Sequence, residues 1–309
     1  MEPKGIGNEI FAGKPAHPCD IGIKKISRRK PVNKIEINIR AGLILLLLFC
    51  SSGISGQCQK GRILSSETRS GIGFASVGIV GKNVGTVSDG EGNFTLDIDE
   101  IYDDDSLRFS MIGYYPKSVK VSQYRQNPQK DIFLIPLSYV LKEVEVVYNK
   151  PVKKRLGSPV TDDFVRSGFG SNDLGSELGI VVYAKRKVRL KDINLNVSKC
   201  TYDSVTYRVN IYKVSLDTCY ENILTKPIYI SFTKEDINKP LSFDLSGYSI
   251  IVKGNIMVAL ELYKDLGDGK LLFNTQYFTG STFHRKTSEG TWTESPGLIG
   301  MYLNSNEIR

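Results

Sequence analysis

Two carboxylates are enough to hydrolyse a glycosidic bond, and Glu177, Glu261 and Asp244 are the acids that fall in or beside apolar, strand-like runs. Glu261 has the parity opposite to Leu260 and Leu262, so a strand that buries those leucines turns it outward. His284 near Ser281 raises the idea of a base and a nucleophile. However, no G-x-S-x-G elbow is present, and GSTFHRKTSEG reads as a polar loop. His17 and His284 are the only two histidines, and no Cys/His spacing suits zinc. The acids Asp97, Asp99, Glu100, Asp103, Asp104 and Asp105 match no calcium-loop spacing and read as a solvated acidic loop. Trp292, in EGTWTES, is the residue to which ligand contact is assigned: it either stacks on a sugar or peptide or packs half-buried. No metal and no cofactor is expected.

GTVSDGEGNF (Gly85–Phe94) concentrates glycine and acid as a phosphate or calcium loop does. The nearest approach to a Walker loop is Gly81-Lys82-Asn83, where asparagine replaces the hydroxyl residue and a strand pattern follows instead of a helix. Asp89-Gly90, by contrast, is a strong hairpin signal because both residue types tolerate positive φ. The stretch is expected to be a turn, with Gly90 and Gly92 in it and Phe94 anchoring the next strand.

The elements that must hold these residues are strands. GRILSS, FASVGIV, GTVSD, NFTLDI, SLRFSMIGY, SVKVS and DIFLIPL follow one another at short spacing with turn residues between them, the pattern of an all-β sandwich. Pro151–Val160, with two prolines, a glycine and the cluster Lys153-Lys154-Arg155, reads as a solvated linker. Strand patterns resume near Val165 and lengthen. Val205, Tyr207, Val209 and Ile211 share one face; Ile256, Val258, Leu260 and Leu262 share another. In KVRLKDINLNV the apolar parity shifts between Leu190 and Ile193, which predicts a bulge near Lys191-Asp192. KRKVRLK (Lys185–Lys191) reads as a solvated face. Eight or nine strands without helical period suggest a second, jelly-roll-like sandwich.

Charge and cysteine bear on compartment. The net charge is +8, but residues 1–56 hold 9 Lys/Arg and 4 Asp/Glu, leaving 32 and 29, or +3, for the remainder. That surplus argues against a nucleic-acid partner. The basic stretch from Lys24 to Arg40 runs into AGLILLLLF (Ala41–Phe49) and then CSSGISG, the order of a secretory signal with cleavage after Gly56. Lipid attachment at Cys50 or Cys58 fits less well, because bulky Phe49 and Gln57 precede them. Cys58, Cys200 and Cys219 read as free, since the strand VTYRVNIYK would hold the last two roughly 30 Å apart.

In order, Phe74-Ala75-Ser76-Val77, Gly85-Thr86-Val87-Ser88-Asp89-Gly90-Glu91-Gly92-Asn93-Phe94 and Ile112-Gly113-Tyr114 resemble the carboxypeptidase-regulatory-like domain. The resemblance covers roughly Gln57–Leu137 and implies a seven-stranded, prealbumin-like sandwich. Such domains also precede the plug of outer-membrane TonB-dependent receptors, and LKEVEVVYNK (Leu141–Lys150) looks like the joint found there. The remaining ~160 residues are too few for the barrel of such a receptor, and the scarcity of histidine leaves no zinc-peptidase site. The expected organisation is a lead at 1–56, a regulatory-like sandwich at 57–147, a linker at 148–164 and a C-terminal sandwich at 165–306.

Together these readings describe a non-catalytic, exported cell-envelope protein in the periplasm, at the outer-membrane surface or outside the cell. It would bind an envelope polysaccharide, a peptide or a protein partner and keep no integral membrane span once the signal is removed. The alternative is a secreted, glycosidase-like hydrolase using carboxylates of the C-terminal sandwich.

Overall fold

A computed structural model of the chain describes residues 57–138, 152–162, 164–215 and 219–308. The stretch expected to be an export lead, 1–56, and the one expected to be a joint, LKEVEVVYNK, lie outside the described residues. As expected, the protein is all-β.

The first body contains β1 (Gln57–Ser65), β2 (Ser76–Ile79), β3 (Gly85–Val87), β4 (Asn93–Ile98), β5 (Ser106–Ser110), β6 (Tyr114–Tyr115), β7 (Lys117–Lys120), helix α1 (Val121–Gln126) and β8 (Asp131–Pro136). Two four-stranded sheets, ordered β4-β1-β8-β6 and β3-β2-β5-β7, enclose one core. Phe94, Leu96 and Ile98 point into it as their alternation predicts, joined by Ile63, Phe109 and Tyr124. Between the expected runs SLRFSMIGY and SVKVS the chain forms two short strands, β6 and β7, on either side of Pro116. β6 pairs with β8 in one sheet and β7 with β5 in the other, so the chain changes sheets there. SVKVS is only partly strand. From Val121 it turns into α1, whose Val121 and Tyr124, three residues apart, share the buried face.

The glycine stretch is a turn. The Asp89 amide donates to the Asn93 carbonyl (2.8 Å), and the Asp89 side chain accepts from the Glu91 and Asn93 amides (2.9 and 2.8 Å). Positive φ falls at Gly92 (+83°), whereas the Asp-Gly signal had put it at Asp89-Gly90. A Cβ on Gly92 would lie 2.4 Å from the Ile63 carbonyl oxygen, so both backbone angle and space require glycine.

The second body comprises β9 (Lys153–Gly157), β10 (Arg166–Phe169), β11 (Glu177–Leu195), β12 (Val197–Cys200), β13 (Ser204–Ser215), β14 (Cys219–Asn222), β15 (Ile228–Thr233), β16 (Leu241–Asp244), β17 (Ile251–Glu261), β18 (Leu271–Arg285), β19 (Thr293–Ile299) and β20 (Met301–Glu307). These form one twelve-stranded sheet with the central path β10-β18-β11-β17-β13-β14. β11 makes it curl. Its first residues, Glu177–Ile180, lie between β17 and β18, and its last, Asp192–Leu195, between β16 and β20. The enclosed core takes the two predicted faces, Val205 to Ile211 and Ile256 to Leu262, together with Leu190, Ile193 and Phe273. The predicted bulge is present: the register of β11 against β20 shifts between Leu190 and Asp192.

Two readings need correction. From Val165 onward eleven strands, β10 to β20, stand where eight or nine were expected, because short strands such as β10, β12 and β14 carry weak patterns. Lys153-Lys154-Arg155, read as solvated linker, lies in β9, which pairs with β20 from Lys153↔Asn306 to Gly157↔Tyr302. Lysines and arginine on an outer strand satisfy both descriptions, since edge strands favour charge.

Candidate functional site

Strand alternation explains how charge comes to be buried where the two bodies meet. β13 gives Tyr207, Val209 and Ile211 to the core and turns Arg208, Asn210 and Tyr212 to the opposite face. In the same way β17 turns out Glu261, and β11 turns out Glu177. The predicted parity of Glu261 is correct, but its expected solvation is not. That face is covered, leaving Arg208 2% exposed and Glu177 and Glu261 each 1% exposed.

The cover comes from β2, β5 and the loop before β2. Ser76 and Gly78 face away from the first core, and all four residues of β2 are buried. A Cβ on Gly78 would sit 2.1 Å from the Ser288 carbonyl oxygen, so glycine admits the second body's 287–290 loop. Thr291 Oγ1 donates to the Gly81 carbonyl (2.8 Å), and Ser110 Oγ to Glu289 Oε1 (2.7 Å). Phe74 holds φ at +60°, unusual for a bulky residue, and sets its ring edge-on to Tyr263 at 5.0 Å. The carbonyl of Phe74 accepts from Arg208 Nη1.

Two ion pairs occupy the junction. Arg208 grips Glu261 with two parallel bonds, Nε to Oε2 at 2.8 Å and Nη2 to Oε1 at 2.6 Å. Asn210 Nδ2 (2.6 Å) and Ser76 Oγ (3.3 Å) also donate to that carboxylate. Glu177 accepts from Arg285 Nε (3.0 Å) and from the Tyr212 hydroxyl (2.9 Å). Burial alone would push the Glu261 carboxyl up, but the charge and hydrogen bonds of Arg208 outweigh it and hold the group below its ordinary value. Burial raises Glu177; Arg285 offsets this only in part, and the charge of Glu261 adds to it. The Tyr212 hydroxyl is pushed well above its usual range by burial and by Glu177.

Above these pairs opens a cleft of about 420 Å³. Ser110, Met111, Tyr114 and Tyr115 line it from the first body, Tyr220, Glu221 and Asn222 from the second, with Arg208, Glu261 and Arg285 contributing to the floor. Trp292 stands behind this wall and is half-buried, 5.6 Å from the Tyr220 ring and 6.0 Å from Tyr212, with the Arg285 guanidinium 5.0 Å over its own ring.

The other residues singled out in the sequence have local partners. His284 Nδ1 lies 3.4 Å from Ser295 Oγ, not beside Ser281. Asp99 caps a helical turn at Ile101 (3.0 Å), Asp103 pairs with Arg125 (2.8 Å) and Asp104 with Lys120 (2.6 Å). Asp244 accepts from the Ser246 amide at 2.9 Å and joins neither buried carboxylate. Cys58 and Cys200 are free thiols. Among the described residues, no group of His, Cys, Asp and Glu is placed to hold a metal, and no helix is long and apolar enough to cross a membrane.

Arg208, Asn210, Tyr212 and Arg285 escaped the sequence reading. A polar residue between two buried ones normally faces water, and nothing in YRVNIYK marks that face as covered.

Residues 59–147 match the family model of the CarboxypepD_reg-like domain. This bears out the resemblance and places family-motif residues Phe74, Ser76 and Ile112-Gly113-Tyr114 at the junction and its cleft. A search of curated proteins found no match.

Proposed function

We propose that the chain is a non-catalytic, exported cell-envelope protein that holds a polysaccharide, peptide or protein partner in the cleft between its two β-bodies. In this reading residues 1–56 are an export lead, 57–147 the regulatory-like domain, and the second domain, expected at 165–306, begins earlier with β9 at Lys153. The observation that carries it is the closure of both buried carboxylates: the strongest acid–base candidates already spend their oxygens on Arg208, Asn210, Ser76, Arg285 and Tyr212. Tyr114 and Tyr115 face the cleft, a residue type suited to sugar or peptide contact. Trp292, expected to touch the ligand, would act from behind the wall by holding Tyr220 and Arg285 in place.

One observation favours the second reading. Glu177, raised, and Glu261, lowered, are register partners on adjacent strands, and acid and nucleophile pairs show such a split. A screen of peptidoglycan fragments, envelope polysaccharides and peptide libraries, recording binding and turnover together, separates the two. Saturable binding weakened by Tyr115→Ala or Trp292→Ala, without turnover, supports the binding reading. Turnover that disappears in Glu177→Gln or Glu261→Gln would replace it with the hydrolase.

A further inference from the structure

Two basic runs far apart in sequence meet on the second body. β20 lies between β9 and β11, so Lys153 and Arg189 are both register partners of Asn306. Where β11 passes β17 the register shifts between Ala184 and Val188, and Lys185, Arg186 and Lys187 stand opposite the single residue Lys253. The bulge leaves all three of these side chains exposed. Between β9 and the bulge lies a groove of about 490 Å³. Its lining holds Lys154, Arg155, Lys185 and Arg186 against one carboxylate, Glu307, which pairs with Arg186. Residues 57–309 carry a surplus of only three positive charges, 32 against 29, and the lining alone has a surplus of three.

Blunting an edge strand explains cations on β9, but not a second set on β11, two strands in. Gathering like charges costs self-repulsion, which a polyanion in the groove would relieve. The geometry points to a linear acidic polysaccharide, a glycan carrying carboxylates along its length, as the occupant. The site is a concave groove and not a flat face. Tyr183, 63% exposed, offers a ring for a sugar to stack on. Leu156, Ala184 and Val188 are buried or half-buried, so little apolar surface is presented to a bilayer. The groove crosses from β9 to β11 and does not follow the open edge of β9, so side chains and not strand backbone make the contacts. This site is separate from the cleft between the bodies, and the inference stands without that reading.

The test is direct binding of the full chain to polygalacturonate across a salt series, with neutral dextran, poly-glutamate and phosphatidylglycerol vesicles as comparisons. Polygalacturonate is expected to bind in a salt-sensitive way and dextran not to bind. The triple variant Lys154→Gln/Arg155→Gln/Lys185→Gln should weaken binding by about tenfold or more with a shallower salt dependence. Tyr183→Ala should weaken it without changing that dependence. Because the basic lead is common to all variants, a smaller loss in the triple variant would assign binding to the lead and overturn the proposal. So would absence of binding, equal binding of dextran, or tighter binding of poly-glutamate or vesicles through the same residues.

Discussion

Glu177 and Glu261 are register partners on adjacent strands, yet each is bound to its own arginine, Glu261 to Arg208 and Glu177 to Arg285. Two carboxylates buried side by side would repel, and the paired guanidiniums make the arrangement tolerable. Arg208→Met strands the Glu261 charge and should cost about 3–5 kcal/mol, measured by chemical denaturation. The double variant Arg208→Met/Glu261→Leu should recover part of the loss, because it leaves no orphan charge.

Acidification should act on the two carboxylates in opposite directions. Glu261 is lowered on folding, so its contribution is present above its ordinary value of 4.5 and is lost as pH falls through the lower folded value. Glu177 is raised on folding, so its contribution is complete below 4.5 and is lost as pH rises through the higher folded value. The stability deficit of Glu261→Gln should therefore shrink below pH 4.5, while Glu177→Gln should gain on the wild type as pH rises. Denaturation midpoints measured across pH check both signs.

Phe94 is buried against Phe109 and Tyr124, with ring centroids 5.7 and 6.2 Å away. Phe94→Ala should cost about 3–5 kcal/mol in a denaturant titration. A loss of less than half the lower figure, with the fold intact, would remove Phe94 from the core.

Gly78 tests whether the two bodies unfold together. Any side chain there meets the Ser288 carbonyl, which belongs to backbone and yields little. Gly78→Val should loosen the junction and split one calorimetric transition into two, whereas Gly81→Ala, where a Cβ meets nothing within 4 Å, should leave a single transition with a slightly lower midpoint.

Much of the fold was legible because strand parity is a local property. Phe94, Leu96 and Ile98 announced their face, and the slip between Leu190 and Ile193 announced its bulge. The junction was not legible for the same reason. Alternation tells which side of a strand Glu261 occupies, but whether water or Ser76 lies on that side depends on a surface nearly two hundred residues earlier in the chain. Short edge strands such as β9 are hidden too, because their residues face solvent on most sides and carry no apolar period. The basic groove is a sharper case. Each run reads as ordinary solvated charge, and only the β9-β20-β11 order makes them one surface.

The pairing of β9 with β20 also has a mechanical meaning. The chain enters the second body at Lys153 and leaves it near Asn306, and these residues are partners at the same end of the ladder. Tension applied between them would load the hydrogen bonds one after another, as a zipper opens, and not all at once as in shear. The five pairs from Lys153↔Asn306 to Gly157↔Tyr302 would part first, lengthening the chain while the curled sheet beyond them kept its core. A protein anchored on one side and loaded on the other would have, in that strand pair, a fuse.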